Sequence, residues 1–434
     1  MQATVETLSN LERRMTVSVP MKPIEDEVGQ RLGRLARTVK MPGFRPGHVP
    51  MNMVQKNYGA QVFNEVISGT VERTFSEAVT ENKLRVAGYP NIEQKSSAVT
   101  PGNFEYVATF EIFPEVAIGD LSAVAIERPK VKITKANVDR TITVLQKQRA
   151  SYEPVKRAAK EGDKVSVAFR AEMDGQEVES THGKSMDLIL GEDGRVAEFD
   201  ANIVGLKPDE VKKFDIAYPA DNPNPQLAGK TISYEVTVTA VDKVKLPKVD
   251  EEFAKGLGIE NGDVEKMRAD IEENLEQEVA KRVRARLKEQ VFKGLLENVT
   301  VELPRALIGM ETERLMQATG ADLQRRGVDL SQVTLEPGLF EEQAKRNVQL
   351  RLVLGELVNK NELHAKPEQI RAVVDGYAKG FEQPEEVVRW YYADAQRLDE
   401  PMGIATEENV VNWVMERAKV SDKTVSFDEL MGAA

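Results

Sequence analysis

The sequence predicts a multidomain α+β chain: an α+β unit at the N-terminus, a hairpin-rich antiparallel β domain with one short helix in the middle, and an all-α C-terminal half. Three observations carry this reading. At 434 residues the chain exceeds what one hydrophobic core serves, and ~150 residues per domain gives about three. From Gly162 to Val244 apolar residues alternate in short runs broken by turn residues, the texture of strands. From Asp263 onward they recur three or four apart, the texture of helices.

In the N-terminal unit, "RRMTVSVP" alternates as a strand and a helix is expected from about Ile24 to Lys40. "NEVISGTVERTFSEAVTENKL" places Val66, Val71, Phe75 and Val79 at helical spacing, and "NFEYVATFEIFPEV" puts Phe104, Tyr106, Ala108 and Phe110 on one face of a strand. Between the helices lies "KMPGFRPGHVPMNMV", with two glycines, three prolines, an arginine and a phenylalanine. A bridge follows: a strand-like "VAIERPKVKI", then a helix "KANVDRTITVLQKQRASY" with Thr134 as its N-cap.

The middle domain reads as the strands "KVSVAFRAEM", "MDLILGEDG", "KKFDIAYP" and "KTISYEVTVTAV", with a turn at Asp174-Gly175 and a short helix around "EFDANIVGL". "KLPKVDEEFAKGLGIENGD" is expected to be a linker with a small helical turn. In the first long helix Val264, Met267, Ile271, Leu275, Val279, Val283, Leu287, Val291 and Leu295 form one row, spaced by four after the first step. Four residues advance 400°, so the row drifts by roughly 40° per step and must meet a succession of neighbours. An extended arm and a helix crossing an irregular bundle both satisfy that. Further helices are expected at Pro304 (as N1), Pro337–Phe340, Pro367, Pro384 and near Glu407, because proline suits a helix start. Leu307, Met310, Leu315 and Met316 share one of them, and Trp390, Tyr391 and Tyr392 another; such rows are core more often than binding surface. The expected boundaries are 1–111, a linker over 112–160, 161–245 and 246–434.

Composition narrows function. With no cysteine, disulfides, thiolate catalysis and Cys-based metal sites are excluded. Three histidines, His48, His182 and His364, lie far apart, so neither a metal nor a cofactor is expected. No stretch approaches 18 uncharged apolar residues and the opening lacks a signal-peptide pattern, so a cytoplasmic chain that spans no membrane is expected. The formal charge of −12 argues against a general nucleic-acid binder. It is uneven, however. Val28 to Asn64 contains no acid, while Arg31, Arg34, Arg37, Lys40, Arg45 and Lys56 are cationic, which suits an anionic partner. There is no dinucleotide fingerprint, P-loop, HExxH or Ser/His/Asp arrangement, so the pattern points to a binding protein, with any enzyme activity in the middle domain.

At "GFRPGHVP" the chain resembles the trigger factor family of bacterial ribosome-associated chaperones, whose N-terminal loop reads Gly-Phe-Arg-x-Gly-x-x-Pro. The matching residues are Gly43, Phe44, Arg45, Gly47 and Pro50. An FKBP-like middle domain, a helical C-terminal half and the ending "TVSFDELM" extend the resemblance over the whole chain. It implies that the loop docks on the large ribosomal subunit beside the exit tunnel, Arg45 and its neighbours meeting rRNA phosphates and acidic side chains while Phe44 is an apolar anchor. Pro46 stands where lysine is common, removing one charge. The linker is implied to pack back on the C-terminal domain, whose helical arms hold nascent, unfolded polypeptides without ATP and assist folding and export. Off the ribosome a homodimer in equilibrium with monomer is implied.

The middle domain is implied to be a peptidyl-prolyl cis-trans isomerase. By motif, Phe169, Phe199 and Tyr234 take aromatic positions of the prolyl pocket, and Leu188, Val196 and Ile203 supply its wall. The usual Pro-Gly-Phe-Glu-x-Gly is here Ala197, Glu198, Phe199, Asp200, Ala201, Asn202, and two aromatics are replaced by Val178 and Asn222. These departures leave open a reduced activity, or a domain kept as a client-binding surface. The alternative functions are a prolyl isomerase acting mainly off the ribosome, with the arms only recruiting substrate, and an RNA-binding factor using residues 31–56.

Overall fold

The computed structural model describes residues 1–42, 44, 47–94, 102–173, 176–177, 184–191, 197–219, 228–328 and 333–432. The expected turn at Asp174-Gly175 lies outside them. The chain opens with strands β1 (Gln2–Thr7) and β2 (Glu12–Pro20), helices α1 (Met21–Thr38) and α2 (Met51–Glu81), and strands β3 (Val86–Gln94) and β4 (Asn103–Ile112). Next come β5 (Ala125–Lys130), α3 (Lys135–Gln148), β6 (Ser151–Pro154), β7 (Lys164–Met173), β8 (Gln176–Glu177), β9 (Lys184–Ile189), α4 (Ala197–Ile203), β10 (Val211–Ala217) and β11 (Thr231–Lys245). The rest is α5 (Glu251–Gly256), α6 (Val264–Asn298), α7 (Arg305–Arg325), α8 (Gly338–Asn361), α9 (Pro367–Ala378), α10 (Pro384–Tyr392), α11 (Asp399–Met415), β12 (Lys419–Thr424) and α12 (Phe427–Met431).

Several boundaries differ from those expected. Helix α2 starts at Met51 rather than Asn64, because Val54, Tyr58, Val62 and Val66 extend its inward row directly behind Pro50, whose φ of −61° sits at the N-cap. Pro304 is likewise an N-cap and not N1. Helix α3 stops at Gln148, and Ser151–Pro154 is a strand paired with β11, so the middle sheet begins ten residues before position 161. Helix α11 starts at Asp399 rather than Glu407, with Pro401 in its first turn, where no N–H is needed. Strand β1 alternates, with Ala3 and Val5 facing the core between exposed polar residues, whereas β3 carries no clear alternation. Gly88 and Pro90 interrupt β3, which runs along the sheet edge and shifts register between Ala87 and Asn91.

The contacts divide the chain into two compact units, 1–128 with 284–423, and 129–283 with 424–434. In the first, an antiparallel sheet in the order β1-β2-β4-β3 pairs Val17 with Tyr106 and Met15 with Ala108. The expected face, Phe104, Tyr106, Ala108 and Phe110, is buried with Met15, Val17 and Val19 under α2. Tyr106 meets the hydroxyl of Thr74 at 2.9 Å inside this core, and burial pushes its phenol up. At the sheet edge, a Cβ on Gly88 (φ +82°) would lie 2.6 Å from the side chain of Ala306 on α7. Helix α7 is tied to α8 by Glu311, 3% exposed, which accepts from Arg314, Asn347 and Arg351 at 2.6 to 2.9 Å. The α6 residues of this unit meet the chain before β5: Gln290 bonds the backbone of Glu127 through both its amide atoms, and Gly294 lies against Val124.

In the second unit the sheet runs β10-β11-β7-β8, with β6 added to β11 and β9 to β7. Val165, Val167, Val236 and Val238 face α4 and close one core. A separate core joins α3, α5 and the start of α6 through Val138, Ile142, Phe253, Met267 and Ile271. Further along α6, Val279 and Val283 pack on Val425, Phe427 and Leu430. The winding row therefore does meet successive neighbours. Thr134 caps α3, both its N–H and hydroxyl donating to Asn137 Oδ1 at 2.9 and 2.6 Å.

Candidate functional site: an aromatic cluster and a basic loop

Strand periodicity builds the first site. Residues two apart on a strand share a face, so Val165, Val167 and Phe169 on β7, Tyr234, Val236 and Val238 on β11, and Phe214 and Ile216 on β10 with Tyr218 just beyond its end look toward one side. Helix α4 lies over that side and lowers Phe199 and Ile203 onto it, while β9 brings in Leu188. Ile203, Leu188 and Phe199 are buried; Phe169, Phe214, Tyr218 and Tyr234 are half-buried around them. Phe199 stands edge-on to Phe214 at 5.6 Å and to Tyr234 at 5.3 Å, and Phe214 stacks on Tyr234 at 5.8 Å. Such pairs add about 0.5–1.5 kcal/mol each beyond burial.

Five of the six expected wall residues, Phe169, Leu188, Phe199, Ile203 and Tyr234, thus share one cluster; Val196 lies outside the described residues. Phe214 and Tyr218 were missed. The alternation in "KKFDIAYP" shows that Phe214, Ile216 and Tyr218 share a face, but not which strand that face lies beside. The hydroxyls of Tyr218 and Tyr234 meet at 2.9 Å, and burial first, then this bond, pushes the Tyr234 phenol well above its usual range. Next to Phe199 on α4, Asp200 is buried and accepts the Gly191 N–H at 2.8 Å, while Glu198 is exposed. Val178 and Asn222 lie outside the described residues.

The second site is the connection between α1 and α2. Its ends are anchored: Val49 is buried and Met41 packs on the N-terminal core. Asn57 donates to Met41 Sδ and to the Met53 carbonyl. Between these anchors Phe44 is 37% exposed, its N–H held by the Met41 carbonyl at 3.1 Å. Gly47 has φ +86°, a left-handed conformation that a side chain resists. Pro50, exposed, caps α2. Gly43 and Arg45 lie outside the described residues. Of the surrounding cations Arg31 is neutralised by Glu27 at 2.6 Å, whereas Arg34, Arg37, Lys40 and Lys56 are exposed and form no ion pair among the described residues. Met51 and Met53 are exposed beside them.

Comparison with known proteins identifies the family. The family model for bacterial trigger factor protein matches residues 1–145 and that for its C-terminus residues 263–416. The trigger factor of Methylobacillus flagellatus is 58% identical over 432 residues, covering all of both chains. The chain belongs to the trigger factor family. Trigger factors of Nitrosospira multiformis and Aromatoleum aromaticum are 47% and 45% identical, again over the full length of both chains.

Between the two trigger factor matches, residues 155–239 match the FKBP-type peptidyl-prolyl cis-trans isomerase model. The chain is therefore a chaperone that carries an FKBP-type isomerase domain, and every residue of the aromatic cluster falls within that match. In the helical part, the expectation that methionine and aromatic rows are core fails at several positions. Met310, Trp390 and Tyr392 are exposed, Trp390 to 54%; Phe381, which belongs to neither row, is exposed to 60%. Arg397 lies 4.1 Å over the Trp390 ring, and Tyr391 stands edge-on to it at 5.1 Å. No described helix is long and apolar enough to cross a membrane.

Proposed function

We propose that this chaperone docks on the large ribosomal subunit beside the nascent-chain exit through the α1–α2 loop, and there receives unfolded polypeptide. The observation that carries this reading is an exposed Phe44 in a loop that, with its flanking helices, carries four exposed cations without an ion pair among the described residues, in a chain of net charge −12. rRNA phosphates and acidic side chains attract such a patch at long range, and an apolar anchor converts the encounter into a docked complex. Arg45 and Gly43 complete the loop in sequence. The exposed aromatics Phe381, Trp390 and Tyr392 then supply scattered weak contacts for client segments. Many such contacts hold a chain collectively while each releases quickly, so no nucleotide is required. Off the ribosome, a second copy covering this apolar surface accounts for a homodimer in equilibrium with monomer.

In the middle domain Phe169, Leu188, Phe199, Ile203 and Tyr234 form the prolyl pocket, to which the motif also assigns Val196. Rotation about an Xaa–Pro bond faces a barrier of ~18–20 kcal/mol. A dry aromatic pocket lowers it because the twisted amide has lost its resonance dipole and suits an apolar wall better than the planar form does. No acid or base is needed, in keeping with Glu198 being exposed.

The test is co-sedimentation with vacant ribosomes. Wild type should pellet and a Phe44→Ala/Arg45→Ala variant should remain in the supernatant, with wild-type binding weakening as salt rises. Equal pelleting of the two proteins would remove the loop from the interaction.

A further inference from the structure

The isomerase cluster contains two polar atoms that an apolar pocket does not need. Tyr218 and Tyr234 could each be phenylalanine without loss of packing, yet their hydroxyls are held 2.9 Å apart beside Phe199 and Phe214. Two phenols own two O–H hydrogens, and a hydrogen bond between them uses only one. Among the described residues neither oxygen has another partner. One donor hydrogen is thus left over, beside the buried ring of Phe199 and on half-buried residues that solvent and substrate can reach.

A bound peptide brings the complementary need. When a prolyl ring settles on aromatic rings, the main-chain carbonyls next to it leave water, and a carbonyl that finds no donor costs roughly 1–3 kcal/mol. We propose that the Tyr218–Tyr234 hydroxyl pair is a substrate-binding element of the prolyl site, donating its spare O–H to a main-chain carbonyl of the bound Xaa–Pro segment. The proposal rests on the prolyl-pocket reading above. Burial keeps the Tyr234 phenol protonated well beyond neutral pH, so the donor is permanent. The pair is neutral, so it takes up a carbonyl without the desolvation cost of an ion. Because the carbonyl is held in the planar and the twisted amide alike, the interaction belongs to binding and not to the barrier.

The experiment is isomerisation of a short peptide with leucine before its proline, using the full chain as wild type, Y218F, Y234F, the double Y218F/Y234F and F199L. Each single tyrosine variant retains one O–H and should keep KM within about twofold, while the double should raise KM about five- to tenfold, the worth of one hydrogen bond, with kcat unchanged. If the two hydroxyls only satisfy each other, removing both leaves apolar groups of the same shape, and KM stays at the wild-type value; that result overturns the proposal. A fall in kcat at constant KM overturns it as well. F199L reports on the pocket itself. If F199L is impaired and the double behaves as wild type, only the hydroxyl proposal falls; if F199L isomerises as fast as wild type, the prolyl site lies elsewhere and both readings fall.

Discussion

Replacing Glu311 by glutamine should destabilise the unit that contains α7 and α8 in a pH-dependent way. Its two carboxylate oxygens accept four bonds, from Arg314 Nη2 and Asn347 Nδ2 on one and from Arg314 Nε and Arg351 Nη2 on the other. An amide of the same size offers one oxygen, and its NH₂ group would face two donors. The paired guanidinium of Arg314 leads in holding the carboxyl down, from 4.5 to about 2. At ~1.4 kcal/mol per pH unit that difference is about 3 kcal/mol, close to the ~3–5 kcal/mol expected when a buried ion pair loses one partner. The folded pKa lies below the unfolded one, so the contribution is complete above 4.5 and disappears as pH falls toward 2. At pH 3 it should have shrunk to about 1.4 kcal/mol. Urea denaturation of wild type and Glu311→Gln, followed by far-UV circular dichroism, gives the deficit at each pH. A deficit under ~1 kcal/mol at pH 7, or one as large at pH 3 as at pH 7, would show that the ionised carboxylate is not what ties the helices together.

Two further outcomes follow from packing and exposure. Gly294→Ala should gain about 1 kcal/mol of helix propensity but place a Cβ 2.4 Å from Val124 Cγ1. Val124 is buried and its N–H is held by the Leu121 carbonyl, so it cannot yield cheaply; overpacking at ~1–3 kcal/mol wins, and a thermal or urea midpoint at or above wild type would contradict this. Trp390→Ser removes a half-exposed ring with its Arg397 and Tyr391 contacts and should cost no more than about 1–2 kcal/mol, too little to unfold the chain. It should, however, raise the concentration needed to suppress aggregation of an unfolded client at least twofold, and unchanged suppression would exclude Trp390 from client contact.

What was legible in the sequence was whatever a periodicity could carry. The alternation of Phe104, Tyr106, Ala108 and Phe110 named a buried face correctly, and the four-residue row of α6 announced a helix with changing neighbours. Strand β3 was illegible because Gly88 and Pro90 serve an edge and a bulge there, where turn residues are tolerated. In the isomerase cluster, five residues could be placed through a motif, yet Phe214 and Tyr218 belong to it only because β10 lies beside β11, and pairing between distant segments is not written in local pattern. Trp390 and Met310 misled for a related reason. Helical spacing says that apolar side chains share a face, but not whether anything covers it.

The way the two units interleave along the chain has a consequence for how this protein is itself made. The core of the N-terminal sheet draws only on residues 3–112, and that of the isomerase sheet on residues 155–241, so each can close soon after its own segment is synthesised. The units as wholes cannot. One needs residues up to 423, and the other takes its last element from 424–434. Synthesis therefore deposits two finished sheets early and leaves half-built helical surfaces exposed until the final residues arrive, with long loops to close before those surfaces are covered. A chaperone built this way passes through the same interval of exposed apolar surface from which it protects other chains.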